Sequence, residues 1–332
     1  LLTASAVKIL LIRFSSIGDI VLTTPVIRCL KQQLPGVELH YLTKKAFAPV
    51  LENNPYIDRL HFLKEDEALT RRQLKAEKFD FVVDLHHNLR SWRFRLAMGS
   101  KSRAFNKLNF EKWLLVNAKV NRLPKVHIVD RYLATVAPLG VKNDGAGLDY
   151  FLPPNTPVPT LPKAFAEGYT AFVIGGQHAT KMLPADKIEA LCAAVHGPVC
   201  LLGGPEDAAK GDAIAQSNPE KIFNAAGKFP LNQSVQLLKS AQIVITHDTG
   251  LMHIAAAFKQ KIITLWGNTV PELGMYPFMA GAYSGFEQKL PCRPCSKIGF
   301  ASCPKGHFRC MRDQNINAIA AQANAWLAEK NN

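Results

Sequence analysis

Short apolar, β-branched runs alternate with helical patterns along the chain. Val7–Phe14 reads as a strand, Asp19–Leu34 as a helix, Val37–Thr43 as a strand and Lys44–Asn53 as a helix. Ile57–Leu63 is a further strand, Glu67–Lys78 a charged helix and Phe79–His86 a fourth strand. Strands alternating with helices at this spacing predict a parallel sheet covered on both faces, whose strands are apolar at successive positions because neither side meets water. The rhythm then gives way to a basic, irregular stretch through Arg90, Arg93, Arg95, Lys101, Arg103 and Lys107, followed by a helix expected over Val129–Ala137.

Between Leu152 and Pro162 stand Pro153, Pro154, Pro157, Pro159 and Pro162. A segment so rich in residues that lack an N–H cannot continue a helix or a central strand, and it suits an extended linker. The expected boundaries are therefore 1–151 for a first domain, 152–162 for the linker and 163–332 for a second domain. Beyond the linker the rhythm restarts. Strands are expected at Tyr169–Ile174, Val199–Leu202, Ile222–Ala226, Ile243–Thr246 and Ile262–Trp266, with helices at Ala185–Val195, Leu231–Ser240 and Leu251–Phe258. An Ala-rich, amphipathic last helix, Asn315–Lys330, is expected to pack across the domain junction. The fold class is thus α/β, with two Rossmann-like doubly wound domains and a ligand cleft expected between the carboxyl ends of their sheets.

A length of 332 residues with 48% hydrophobic content supplies two cores, of about 150 residues each. No apolar run approaches the roughly 20 residues that cross a bilayer, and none has the flanks of a signal peptide. A soluble, intracellular protein is expected. The formal charge of +14 favours an anionic partner: nucleic acid, an anionic membrane surface or a phosphorylated glycolipid. No RNA-binding or helix-turn-helix signature accompanies it, so nucleic acid is not expected as the partner. Of seven cysteines, Cys29, Cys192 and Cys200 sit within apolar patterns and read as core residues. Cys292, Cys295, Cys303 and Cys310, with His307 nearby, crowd one stretch, and four thiols in a loop of an intracellular protein suggest a structural zinc more than disulfides. Reduced thiols or a redox-sensitive loop are the alternatives.

Four motifs follow strands. Phe14-Ser15-Ser16-Ile17-Gly18-Asp19 closes the first strand, and Gly18 allows a tight turn that presents Asp19 at the top of the sheet, as a base or as a helix cap. Gly175-Gly176 with Lys181 places a cation after a strand end, suited to a departing diphosphate or simply solvated. Gly203-Gly204-Pro205-Glu206-Asp207 offers carboxylates to ribose hydroxyls, or is a plain turn. His247-Asp248-Thr249-Gly250-Leu251-Met252-His253 leads from strand to helix, where backbone N–H groups favour a phosphate near Thr249 and Gly250. Asp248 orients that loop or caps the helix, and His253 either reaches the site or is structural.

The runs R-F-S-S-I-G-D-I-V-L-T-T-P at Arg13–Pro25 and D-T-G-L-M-H-I-A-A-A at Asp248–Ala257 resemble glycosyltransferase family 9, the lipopolysaccharide heptosyltransferases, over nearly the whole chain. The resemblance implies a GT-B fold and inverting transfer of heptose from ADP-heptose to a phosphorylated lipopolysaccharide core acceptor. A GT-B enzyme or epimerase using another nucleotide sugar is the alternative. In this reading Asp19 is the catalytic base and Lys181 contacts donor phosphate, with Leu183 where the family often has Trp. Gly176, Asp248, Thr249, Gly250 and His253 belong to the donor site, and the ribose acid is Glu206 or Asp207. The acceptor side takes Ser15, Ser16, Gly18, His86, Asn88, Arg90 and Arg93, within a basic segment that also carries Trp92, Phe94, Phe105 and Trp113. No metal is expected to be needed for catalysis, and the implied location is cytoplasmic, peripheral to the anionic inner membrane.

Overall fold

The computed structural model describes residues 7–329; Lys330, read as the end of the last helix, lies outside them. The chain divides into two compact units: a front unit of Leu1–Lys107 with Val126–Phe151, and a rear unit of Leu108–Lys125 with Leu152–Asn332. Sequence pattern alone puts residues 108–125 in the first domain. They join the rear unit because Leu115 and Leu123 pack on Val270 and Leu273, and Lys119 Nζ donates to the carbonyls of Cys292 (3.0 Å) and Pro294 (2.8 Å).

The front unit holds a five-stranded sheet of β1 (Lys8–Ile12), β2 (Glu38–Thr43), β3 (Arg59–Phe62), β4 (Phe81–Asp84) and β5 (Lys101–Ala104) in the order β3-β2-β1-β4-β5. All its pairs are parallel, and Ile12 stands beside Leu42 and Asp84. Ile9, Leu10, Leu11 and Ile12 are fully buried, which is why that strand is apolar at successive positions.

The helix expected over Asp19–Leu34 is two helices, Ile17–Val21 and Thr24–Gln33. Pro25 cannot donate to the carbonyl of Val21, and the Thr23 and Thr24 hydroxyls take the Ile20 and Val21 carbonyls instead, each at 2.7 Å. Pro49 likewise shortens the next expected helix to a 3₁₀ segment, Lys45–Val50. The stretch read as irregular contains the helix Leu89–Met98 and the edge strand β5. Its start is fixed by a reciprocal cap: Ser91 N donates to Asn88 Oδ1 (2.8 Å) and Asn88 N to Ser91 Oγ (2.9 Å). Gly99, at φ 69°, ends it.

The rear unit holds a six-stranded sheet of β6 (Thr170–Val173), β7 (Val199–Leu202), β8 (Ile222–Asn224), β9 (Ile243–His247), β10 (Ile262–Trp266) and β11 (Tyr283–Glu287), ordered β11-β10-β9-β6-β7-β8 and again parallel. The terminal helix, Ile316–Ala328, buries apolar residues within the rear unit. Ile319, Ala320 and Ala323 are buried in the rear core, and Asn324 ties it to the helix Ala185–Ala194 through the Ala194 carbonyl (3.0 Å). Among the described residues no helix is long and apolar enough to cross a membrane.

In the front core Phe94 is fully buried, edge-on to Phe14 with ring centroids 5.8 Å apart. Phe94→Ala is expected to cost about 3–5 kcal/mol in chemical denaturation. Leu96→Ala on the same helix, at 65% exposure, should stay within about 0.5 kcal/mol.

Candidate active site

In each sheet the strand order reverses direction once, and the loops leaving the two strands at that point diverge to make room for a ligand. The reversal falls between β1 and β4 in the front sheet and between β9 and β6 in the rear sheet. Asp19 and His86 follow the first pair; Lys181 and Asp248 follow the second.

Asp19 lies in the short helix Ile17–Val21, its side chain 22% exposed, with Oδ1 2.6 Å from Arg13 Nη2. Ser16 donates to its other oxygen from the hydroxyl (2.9 Å) and from the backbone (3.3 Å). Arg13 is itself fixed by the carbonyls of Ser15 (2.7 Å) and Leu85 (2.6 Å) and by the Tyr132 hydroxyl (3.1 Å). Burial pushes the Asp19 carboxyl up, but the Arg13 guanidinium and the Ser16 donors outweigh it and hold the group below its ordinary value. Arg13 and Tyr132 were not singled out by sequence. Arg13 stands inside the recognisable run, whereas nothing local marks a tyrosine more than a hundred residues away.

His86 packs on Phe14 (centroids 4.9 Å), and its Nδ1 is buried with no hydrogen-bond partner. Burial and the Arg13 charge lower its pKa to about 3, so the ring is neutral. Asp84, fully buried, organises this loop by accepting from the backbone of His86 (3.0 Å) and His87 (2.7 Å) and from Ser91 Oγ (2.9 Å). Asn88 uses its side-chain oxygen for the helix cap. Arg90 pairs with Glu67 at 2.7 Å, and Arg93 is exposed. Of the aromatic residues in the basic segment, Phe94 and Phe105 are core, while Trp92 and Trp113 are exposed.

In the rear unit Lys181 Nζ lies 2.7 Å from Asp248 Oδ2, with both side chains mostly buried. Thr269 donates to the same oxygen at 2.9 Å, a partner that sequence pattern did not reveal. Thr249 caps the eight-residue helix Gly250–Ala257, and its side chain makes no cap hydrogen bond. The first N–H groups of that helix are therefore available to an anion. His247 locks the loop behind Lys181: its Nε2 accepts from Leu183 N at 3.0 Å, and burial, with Lys210's charge, lowers its pKa to about 3. His253 is buried inside the helix.

The two candidate ribose acids separate. Asp207 is buried and accepts from Gly204 N at 3.0 Å, and a side chain at Gly175 would collide with its carboxylate. Glu206 is exposed. Lys210, also unmarked in the sequence, donates to the Ile174 carbonyl (2.8 Å) at the end of β6. Gly176 lies in the same loop, next to Met182 and Thr249.

All seven cysteines are free thiols, and Cys29, Cys192 and Cys200 are buried as expected. Cys310 joins the rear core. Cys295 donates to the Cys292 carbonyl (3.1 Å), and Cys292 Sγ lies 3.9 Å from His307 Nε2. Among the described residues no three His, Cys, Asp or Glu side chains are gathered at metal-ligand distance, while the Cys292, Cys295, Cys303 and Cys310 thiols lie near enough to act on one another electrostatically.

The profile of glycosyltransferase family 9 (heptosyltransferase) matches residues 68–299. The lipopolysaccharide heptosyltransferase 1 of Salmonella typhimurium is 24% identical over 313 residues, covering 86% of this chain and 94% of that protein. Among solved structures, the family 9 glycosyl transferase of Veillonella parvula superposes with a TM-score of 0.75 at 20% identity, covering 99% of each chain. The E. coli ADP-heptose lps heptosyltransferase II gives a TM-score of 0.71 at 19% identity, covering 98% of this chain and 100% of that one. These likenesses bear out the GT-B-type fold. With more than half of its length matched by the family profile, the chain belongs to glycosyltransferase family 9, the heptosyltransferases.

Proposed function

We propose that the protein is an inverting glycosyltransferase that moves heptose from ADP-heptose to a phosphorylated inner-core acceptor of lipopolysaccharide. The observation that carries this reading is the Lys181–Asp248–Thr269 group beside the open N-terminus of the helix Gly250–Ala257. A cation and backbone N–H groups at one strand end suit a diphosphate leaving group. The name of the E. coli neighbour supports ADP-heptose as the donor.

In this reaction an acceptor hydroxyl oxygen attacks the anomeric carbon from the face opposite the diphosphate. The new C–O bond forms as the bond to the β-phosphate oxygen breaks, and the electron pair leaves with ADP. Asp19 takes the proton of the attacking hydroxyl. Lys181 and the helix N-terminus bear the charge that develops on the diphosphate, and Glu206 accepts from the ribose hydroxyls. His86 lines the acceptor side as a neutral ring, and Arg93 meets an acceptor phosphate.

Incubation with ADP-heptose and truncated core acceptors, read by mass spectrometry, is expected to give a product one heptose heavier. No transfer from ADP-heptose, with turnover of a different nucleotide sugar, would overturn the donor assignment. Asp19→Asn should lower kcat by about 10²–10⁴-fold while the melting shift produced by ADP is retained. Lys181→Met should lower kcat by about 10²–10³-fold and reduce that shift. The acid limb of kcat/KM reports the carboxyl of the free enzyme, and Asp19 acts only when ionised. Its lowered pKa places the limb below the ordinary carboxylate value of about 4. In Arg13→Gln the charge opposing desolvation is gone, and the limb moves upward in pH. An unchanged limb would show that Asp19 is not the titrating base.

A further inference from the structure

The helix Leu89–Met98 is arranged opposite to an ordinary surface helix. Ser91 and Phe94 face the front core. On the opposite side, at spacings of three and four that align on a helix, stand Leu89 (66% exposed), Trp92 (44%) and Leu96 (65%). A helix that covers a sheet normally turns its polar residues to water. Here the outermost stripe is apolar and arginines border it, with Arg90 and Arg93 on one flank and Arg95 on the other. The adjoining edge strand adds exposed Lys101 and Arg103. From Leu89 to Lys107 the chain has six basic side chains and no acidic one.

We propose that this helix is the surface by which the protein docks on an anionic lipid bilayer. Leu89, Trp92 and Leu96 would enter the boundary between headgroups and acyl chains. Trp is suited to that boundary because its ring is apolar while its N–H remains wet. Arg90 is held by Glu67 of the neighbouring helix, and Arg93 and Arg95 would reach outward to lipid phosphates along their own aliphatic stems. A protein partner would need to bring acidic groups to both edges of a narrow apolar stripe. A bilayer presents phosphates on every side of an inserted wedge, and so matches a stripe with cations on both flanks. The inference rests on the proposed function for its purpose, since a lipid-linked acceptor lies in such a surface. Its test reads binding and not transfer, so the two readings fail separately.

The full chain is expected to co-sediment with vesicles of phosphatidylethanolamine and phosphatidylglycerol, and far less with phosphatidylcholine alone. Binding should weaken as salt rises. Bromination of the acyl chains should quench tryptophan emission, and that quenching should be lost in Trp92→Phe. The triple variant Leu89→Ser/Trp92→Ser/Leu96→Ser should bind the anionic vesicles at least about tenfold less, as expected when apolar insertion supplies much of the affinity. Its melting temperature and its transfer to a lipid-free oligosaccharide should be unchanged. Failure of the wild type to bind anionic vesicles, or equal binding by the triple variant, would overturn the proposal. So would a concentration-dependent dimer abolished by the same substitutions, which would make this face a contact between copies of the chain.

Discussion

Every strand in both sheets runs the same way, and that single constraint decides where chemistry can reside. A parallel strand releases the chain at the same edge as its neighbours, so all loops that follow strands emerge together. At the one point where the winding reverses, adjacent loops diverge and leave open space, while elsewhere helices pack over the strand ends. Asp19 and His86 emerge at the reversal of the front sheet, and Lys181 and Asp248 at that of the rear sheet. The buried apolar strands pay for these polar loops, whose own contacts are mostly charge pairs and bonds to backbone.

The front loop is built around Arg13 as much as around Asp19. A carboxylate that is largely withdrawn from water would ordinarily be raised and risk protonation. Arg13, held by two carbonyls and a tyrosine, reverses that tendency. The consequence for catalysis is specific. A carboxylate held below its usual pKa is too weak a base to ionise a free sugar hydroxyl beforehand. In the proposed displacement it would accept the proton once bonding to the anomeric carbon has made the hydroxyl acidic, which would put proton transfer late. Orientation and constant ionisation, more than basicity, are what this arrangement supplies.

Much of the sheet framework could be read from the sequence because a doubly wound fold leaves a local signal: short apolar runs, several of them followed by a Gly-containing turn. Asp19, Lys181 and Asp248 stand in such turns. What escaped notice depended on distance or on exceptions to apolar patterning. Tyr132 and Thr269 reach their loops from elsewhere in the chain. The strand Lys101–Ala104 is an edge strand, polar at three of its four positions, and so looks irregular. The helix Leu89–Met98 escaped because its exposed face is not polar, although the Asn88–Ser91 cap and Gly99 marked both of its ends. Residues 108–125 were assigned by continuity to the first domain, while their apolar side chains find their partners 150 residues further along.

The rear loop sets a different electrostatic problem. Lys181 is already paired with Asp248, so the diphosphate of the proposed donor would meet a cation whose charge is largely balanced. Thr269 breaks the symmetry of that pair. It holds the carboxylate oxygen in place at 2.9 Å, whereas the ammonium sits at the end of a flexible stem with three donors to distribute. Asp248 can therefore remain fixed while Lys181 keeps one bond to it and turns another toward phosphate. In the proposed function a diphosphate would then receive a positioned cation, and no unpaired lysine would be exposed between turnovers. Replacing Thr269 by Val would free the carboxylate to follow the lysine. Weaker diphosphate binding is the expected outcome, measurable as a reduced melting shift with ADP.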